Sequence, residues 1–149
     1  MYHTILVPLD QSKRAEAILP HVENMAKHAG CKVIFLVVVE PLRGVVASGG
    51  PYTSIQKEGM AAQEKEIENY LAGLQGKFRA KGIESKFCLA HGPVVAEIIR
   101  TANTENVELI AIASHGRGGL SRVFYGSVAA GVLQRIDRPL LIIRALDGQ

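Results

Sequence analysis

Lys32-Val33-Ile34-Phe35-Leu36-Val37-Val38-Val39 is the stretch of sequence that decides the fold. Its apolar residues are continuous rather than alternating, which predicts a strand covered on both faces. The shorter run Thr4–Leu9 has the same character. Between the two, apolar residues recur at helical spacing, with Ser12 as a plausible N-cap and Gly30 as the stop. These segments predict a strand-helix-strand unit, with a kink where Pro20 interrupts the helix.

The rest of the chain continues the alternation of helices and strands. Pro41–Gly59 is predicted to be a long loop and is a candidate lid. After it, the pattern predicts a helix from Met60 to near Gly82, a strand at Ile83–Ala90 and a helix opened by Pro93. The last predicted elements are a strand at Val107–Ala113, a short helix at Val128–Ile136 and a strand at Pro139–Ile143. Strict alternation favours a mostly parallel sheet with right-handed crossovers. Periodicity alone leaves the strand order open.

Composition excludes several classes of protein. The 149 residues suit a single domain, and a formal charge of +3 without a run of one sign argues against a nucleic-acid partner. Val33–Val39 is far shorter than the roughly 20 apolar residues that cross a bilayer, so we expect no membrane insertion. No secretory leader is evident, which predicts a cytoplasmic protein. Cys31 and Cys88 lack the spacing of a zinc site or a disulfide framework, so we expect reduced thiols.

Two unusual segments follow predicted strands. Val7-Pro8-Leu9-Asp10-Gln11-Ser12 ends the first strand, and Ala113-Ser114-His115-Gly116-Arg117-Gly118-Gly119 ends the fourth. With a strand order of 3-2-1-4-5 both would face one crevice, which is where open parallel sheets bind ligands. Glycines admit backbone N–H groups to phosphate oxygens, and Gly126-Ser127 opens a helix whose positive end favours anions. A plain flexible connection is the alternative, because neither a P-loop nor a dinucleotide motif is present.

Together, these segments and Gly92-Pro93 resemble the universal stress protein family over essentially the whole chain. Nucleotide-binding members carry Gly-x-x-Gly, nine residues, then Gly-Ser or Gly-Thr, and Gly116, Arg117–Tyr125 and Gly126-Ser127 fit in register. Ala113 replaces the first glycine, which would weaken binding if that position needs a positive φ or touches the ribose. The resemblance implies the ATP-binding subgroup and an α/β, Rossmann-like, open five-stranded parallel sheet of order 3-2-1-4-5 with helices on both faces.

The resemblance also implies a set of site residues. Asp10 would bond the ribose or reach a phosphate-bound Mg²⁺, and the Val38 backbone would recognise the adenine edge between Pro8 and Ile112. The other implied cofactor-binding residues are Leu9, Ala113, His115, Gly116, Arg117, Gly119, Gly126, Ser127 and Val128. Each also has a simpler interpretation: Asp10 as a turn residue, Val38 and Ile112 as core, and Ser127 as an N-cap. We expect no catalytic role for His115, whereas Arg117 and Arg122 could screen phosphate charge.

The resemblance favours a regulatory protein that binds ATP, ADP or AMP, with or without Mg²⁺, rather than an enzyme. Family members are generally homodimers that often pair through the last strand, and an apolar edge strand would need such cover. Nucleotide occupancy would then change the Pro41–Gly59 loop or the dimer surface and signal to a protein partner. Two alternatives stay open: slow ATP hydrolysis or phosphotransfer at the same loop, and a nucleotide-free structural stress dimer.

Overall fold

The computed structural model describes residues 1–41, 51–116 and 126–146. Within these ranges strands and helices alternate, as the sequence predicts. Their bounds are β1 Thr4–Leu9, a 3-10 turn at Ala15–Ile18, α1 Leu19–Ala29, β2 Lys32–Val39, α2 Ser54–Ala80, β3 Ser85–His91, α3 Val94–Thr104, β4 Leu109–Gly116, α4 Gly126–Arg135 and β5 Leu140–Leu146. None of the helices in these ranges combines the length and apolarity needed to cross a membrane.

The five strands form one parallel sheet in the order β3-β2-β1-β4-β5. This confirms the predicted fold class and strand order. Successive side chains of a strand point to opposite faces, so Val33 and Phe35 enter one core while Ile34 and Leu36 enter the other. Helices α1 and α2 cover the first core, and α3 and α4 cover the second. Both faces of the sheet are therefore covered, which is why β2 is apolar from Val33 to Val39.

The first helical segment begins differently from the prediction. A 3-10 turn precedes α1, and Pro20 lies in the first turn of α1 rather than in its interior. The missing N–H of Pro20 has no helical partner to lose at that place, so the predicted interior kink was wrong. Ser12 is not the N-cap of α1, but its Oγ accepts a hydrogen bond from the N–H of Ala15, the first residue of the 3-10 turn, at 3.1 Å. Gly30 ends α1 as expected, with φ +68°.

Helix α2 begins six residues earlier than its periodicity predicted. Thr53 accepts a hydrogen bond from the Gln56 N–H at 3.1 Å, and the Gln56 side chain accepts one from the Thr53 N–H at 2.7 Å. This capping box satisfies two N–H groups that the first turn of a helix leaves unpaired. Residues 54–59 therefore belong to α2 and not to the predicted loop. The part of that loop at 42–50 lies outside the described residues.

The last two strands extend further than the apolar pattern suggested. β4 and β5 pair from Ile110↔Leu140 to Gly116↔Leu146, so 114–116 are strand residues rather than the start of the Gly-rich loop. The pattern ended early because Ser114 and Arg144 are polar, but backbone pairing does not depend on side-chain polarity. Helix α4 likewise begins at Gly126 and not at Val128. β3 runs two residues later at its start and one later at its end than predicted.

Candidate functional site

The two sides of β1 differ in how far they are paired. Toward β2 the register continues from Thr4↔Lys32 to Leu9↔Val37. Toward β4 it consists of Ile5↔Leu109 and Leu6↔Ile110, after which the two strands part. Pro8, which has no amide hydrogen to donate, lies in this unpaired stretch. The carboxyl ends of β1 and β4 thus open a crevice at the switch point of the sheet, where such folds bind ligands.

A cavity of about 240 Å³ occupies this crevice. It is walled by both strands, by the segment after β1, by β2, and by the first turns of α3 and α4. The residues that line it are Pro8, Leu9, Asp10, Ser12, Arg14, Ala15, Leu36, Val38, Val94, Ile98, Ile112, Ala113, Ser114, Gly126, Ser127, Val128 and Ala129. We call this the switch-point cavity.

Most of the residues predicted from the sequence line the switch-point cavity. They are Pro8, Leu9, Asp10, Val38, Ile112, Ala113, Gly126, Ser127 and Val128. His115 and Gly116 are the last residues of β4, where their backbones pair with Ala145 and Leu146. Arg117 and Gly119, and also Arg122, lie outside the described residues.

Several lining residues were not predicted. Ser12, Arg14 and Ala15 come from the segment after β1, and the others are Leu36, Val94, Ile98, Ser114 and Ala129. The segment after β1 could have been included whole, because every residue that follows the carboxyl end of a switch-point strand is a candidate. Val94 and Ile98 could not, since their apolar spacing only indicates a face of α3 that packs on the sheet.

The lining divides by chemistry. The wall made by β2, α3 and β4 is mainly apolar, with Leu36, Val38, Val94, Ile98 and Ile112, and the hydroxyl of Ser114 in β4 donates to the Ile143 carbonyl. Polar groups enter from the segment after β1 and from the first turn of α4. An apolar slot beside a few placed polar groups is typical of small-molecule sites, because the apolar wall supplies affinity and the polar groups supply orientation.

Asp10 is exposed at the end of β1, and its Oδ1 accepts a hydrogen bond from the Ser12 N–H at 2.9 Å. The turn role that the sequence offered as an alternative is therefore present. A carboxylate has two oxygens with about four acceptor positions. Holding the turn leaves capacity for a ligand hydroxyl or a cation, so the two roles of Asp10 are compatible.

The segment after β1 is anchored from α2. Tyr70 donates a hydrogen bond from its hydroxyl to Glu16 Oε2 at 2.7 Å. Burial, followed by the acceptor Glu16 and its charge, raises the pKa of Tyr70 well above its ordinary value. Glu16 belongs to the 3-10 turn that begins with the lining residue Ala15. This contact fixes one wall of the switch-point cavity to the first core.

The sequence raised the question whether Ala113, which replaces the first motif glycine, stands at a position that needs a positive φ. In the described part of the chain the non-glycine residues with positive φ are Gln11 and Asn106, so Ala113 has backbone angles open to any L-residue. A glycine at this position would not be needed for conformation. Gly126 differs, because its φ of +77° at the start of α4 is one that side chains rarely tolerate.

A protein-built metal centre is absent from the described residues, in which no group of three or more His, Cys, Asp or Glu side chains could hold an ion. Cys31 is buried and its Sγ donates to the Tyr2 carbonyl, and burial raises the pKa of the thiol. Burial likewise raises the pKa of the Cys88 thiol. Both cysteines are therefore poor nucleophiles, since the thiolate is the reactive form.

Comparison with known proteins places the chain among relatives with the same sheet. The sequence model of the universal stress protein family matches residues 1–144. Universal stress protein MJ0577 of Methanocaldococcus jannaschii is 26% identical over 155 residues, covering 97% of this chain and 96% of the relative. The solved structure of MJ0577 superposes with a TM-score of 0.82 at 26% identity and covers 99% of each chain.

Two further solved structures share the fold and hold nucleotides. One is a universal stress protein in complex with cAMP, with a TM-score of 0.70 and 18% identity over 97% of this chain and 98% of that one. The other is the universal stress protein from Archaeoglobus fulgidus in complex with dAMP, with a TM-score of 0.66 and 21% identity over 95% and 98%. The family match over nearly the whole length, together with the sheet order and the cavity position, shows that this chain belongs to the universal stress protein family.

Proposed function

We propose that the chain binds an adenine nucleotide in the switch-point cavity. The observation that carries the proposal is the cavity itself: an apolar slot and the amino end of a helix meet where β1 and β4 part. A nucleotide has matching parts, because its base has flat apolar faces and its phosphates are anionic. The cAMP and dAMP complexes support the proposal only in that a sheet of this kind accommodates such ligands.

Each part of the nucleotide has a matching wall. The base would lie against Val38 and Ile112, with the Val38 backbone at its edge. The ribose would lie near Asp10. The phosphates would meet the N–H groups of Ser127 and Val128, which begin α4 and carry its positive end. His115, Gly116, Arg117 and Gly119 stay in the proposed phosphate loop by resemblance to the family.

We further infer that ATP is the preferred nucleotide and that Mg²⁺ accompanies it. The support is the chemistry of Asp10, because carboxylate oxygens and phosphate oxygens together are the usual ligands of protein-bound Mg²⁺. Asp10 is exposed at the mouth of the cavity, where a hydrated ion can approach. ADP and AMP would bind with fewer phosphate contacts and therefore more weakly.

The proposed role is regulatory rather than enzymatic. Among the described lining residues, the acid Asp10 and three serine hydroxyls are not accompanied by a histidine or cysteine that would complete a nucleophile–base pair. Nucleotide occupancy would instead be sensed by a protein partner in the cytoplasm. We propose a homodimer paired through β5, which is an edge strand of the sheet. The unpaired outer backbone of such a strand favours association with another strand.

Ser127→Glu tests the nucleotide site. Ser127 is exposed, lines the cavity and occupies the first turn of α4. A carboxylate there stabilises the positive end of the helix but repels phosphate. Ser127→Gln, with nearly the same size and no charge, is the matched control. We expect calorimetric titration of the nucleotide-stripped protein with MgATP to give binding for the wild type and the Gln variant and none for the Glu variant, whose melting temperature is unchanged or higher.

Two outcomes would contradict the proposal. The first is no heat on titration of the wild type together with no adenine absorbance released when untreated protein is denatured, which would favour the nucleotide-free structural dimer. The second is equal binding by all three proteins, which would place the nucleotide elsewhere. Phosphate release that depends on Mg²⁺ and disappears in Asp10→Ala would instead establish the slow hydrolase.

A further inference from the structure

The segment after β1 brings a positive charge to the switch-point cavity. Arg14 lines the cavity, is half-buried, and directly precedes the 3-10 turn. We propose that Arg14 binds the phosphate group of the nucleotide and makes the cavity select phosphorylated adenine nucleotides over adenosine. The inference rests on the proposed function and names a determinant of specificity within that site.

Arg14 and the amino end of α4 reach the switch-point cavity from elements that pack on opposite faces of the sheet. The 3-10 turn that follows Arg14 packs through Ile18 into the core covered by α1 and α2. Helix α4 packs through Val132 into the core on the other face of the sheet. Both reach the same cavity at the carboxyl end of the strands. An anion in that cavity therefore has a positive group on each side, Arg14 on one and the amino end of α4 on the other.

The charges of the lining favour Arg14 as a ligand of an anionic group. Among the described lining residues, the formal charges are those of Asp10 and Arg14. With Arg14 present they sum to zero, and the positive end of α4 decides the sign of the potential. Without Arg14 the carboxylate of Asp10 would stand alone against the ligand phosphates, and like charges in a partly dry cavity repel more strongly than in water.

The residue type also fits the assignment. A guanidinium offers a planar fork of N–H donors that matches two phosphate oxygens at once, whereas an ammonium acts as a point charge. Lys13, the neighbouring cation, is exposed and is not among the residues that line the cavity. Sequence spacing could not show which of the two cations faces the cavity. The burial of Arg14 and its place in the cavity lining distinguish it from Lys13.

Arg14→Gln and Lys13→Gln form a matched pair for the test. Each removes one positive charge from the same segment, so their long-range electrostatic effects are alike, and circular dichroism and melting temperature check the fold of both. Calorimetric titrations with ATP, AMP and adenosine give the readout. We expect Arg14→Gln to weaken binding of ATP and AMP by about 10- to 100-fold, the usual contribution of a charge-assisted hydrogen bond. Adenosine binding should not change, and Lys13→Gln should bind all three as the wild type does.

The other outcomes separate failure of this inference from failure of the proposed function. Wild-type ATP affinity in Arg14→Gln would overturn the assignment and leave the nucleotide site standing. Equal losses in the two variants would overturn it in favour of long-range charge. Equal losses of ATP and adenosine in Arg14→Gln would show that Arg14 shapes the cavity rather than binding phosphate. A wild type that binds none of the three ligands would overturn the proposed function itself, and the assignment with it.

Discussion

The central strand β1 borders two neighbouring strands, β2 on one side and β4 on the other, and we call these two borders its seams. Both seams are lined mainly by apolar residues, but they differ in how far the backbones are paired. The seam with β2 is paired through Leu9↔Val37, whereas the seam with β4 stops at Leu6↔Ile110. Beside the closed seam, residues such as Ile34 and Phe35 are fully buried. Beside the open seam, the side chains border the switch-point cavity. We therefore expect the closed seam to contribute more to stability, and we propose that the ligand binds at the open seam.

The reason for the difference lies in the connections. β1 and β2 are consecutive strands joined through α1. β4 follows β3 and α3 in the chain but lies next to β1, on the side of β1 away from β2. The helices that pack beside β1 and β4, α1 and α4, therefore lie on opposite faces of the sheet, and among the described residues the gap between the carboxyl ends of the two strands opens into the switch-point cavity. A crevice is a geometric consequence of reversing the strand order and needs no special residue to create it.

The same substitution placed beside each seam should have unequal effects, and this is the largest expected difference. Ile34→Ala removes a fully buried side chain from the second core and should lower the free energy of unfolding by about 4 kcal/mol. Ile112→Ala removes a side chain that already borders the cavity, so it loses fewer contacts, and we expect about 2 kcal/mol. Urea denaturation measures both. Equal losses, or a larger loss for Ile112→Ala, would break the contrast between the seams.

Tyr70→Phe tests how the open seam is supported. The substitution deletes the hydroxyl that donates to Glu16 and so releases the 3-10 turn from α2. We expect a loss of about 1 kcal/mol, the net value of one partly buried hydrogen bond. Glu16→Gln keeps an acceptor for the same donor and should lose less. A Phe variant as stable as the wild type would mean that packing alone holds this wall of the cavity.

Alkaline titration gives the same contact a second readout. The folded protein raises the pKa of Tyr70 above the ordinary 10.0, mainly by burial. The contribution of Tyr70 to stability is therefore full below pH 10 and is lost as the pH rises toward the folded pKa, because only the unfolded chain can ionise this group easily. Tyrosinate absorbance should show one of the four tyrosines ionising last, and Tyr70→Phe should remove that step. A late step that persists in the variant would contradict the assignment.

A surface ion pair that belongs to neither seam should give the smallest change in stability when it is removed, and it serves as the reference for the larger effects. Glu23 pairs with Lys27 at 2.8 Å and with Lys81 at 2.7 Å, and hydrogen bonds from these two lysines lower the pKa of Glu23 below 4.5. Its contribution is therefore present above pH 4.5 and is lost as the pH falls through the lower folded value. At neutral pH Glu23→Gln should move the melting temperature by no more than about 2 °C. A shift as large as that of Ile112→Ala would contradict this ranking.

Most of the architecture could be predicted because it follows from apolar patterning. Continuous apolar runs marked β1 and β2, and the alternation with helical spacing indicated a parallel sheet. The errors fall where polarity and secondary structure diverge. Ser114 lies inside β4 although it is polar. The start of α2 was missed although Thr53 and Gln56 have the spacing of a capping box, a local pattern that could have been recognised in the sequence.

The candidate site was predicted less completely than the fold. Motif residues such as Pro8, Asp10 and Gly126 could be placed at the cavity because the family resemblance assigns them to the site, in segments at the carboxyl ends of neighbouring strands. Val94 could not, since which side chains of α3 reach the crevice depends on how that helix packs across the sheet. Arg14 was missed for a similar reason: an arginine beside a lysine in a polar segment gives no indication of which one faces inward.

The most direct test of the central claim, that an adenine nucleotide binds at the open seam, is amide NMR of the nucleotide-stripped protein during titration with MgATP. Amides that border the cavity, such as those of Leu9, Asp10, Ala113 and Ser127, should show the largest chemical-shift changes, and amides of the closed seam, such as those of Val33 and Ile34, should hardly move. Shifts of comparable size along both seams, shifts centred on β3, or no shifts at saturating MgATP would contradict the account.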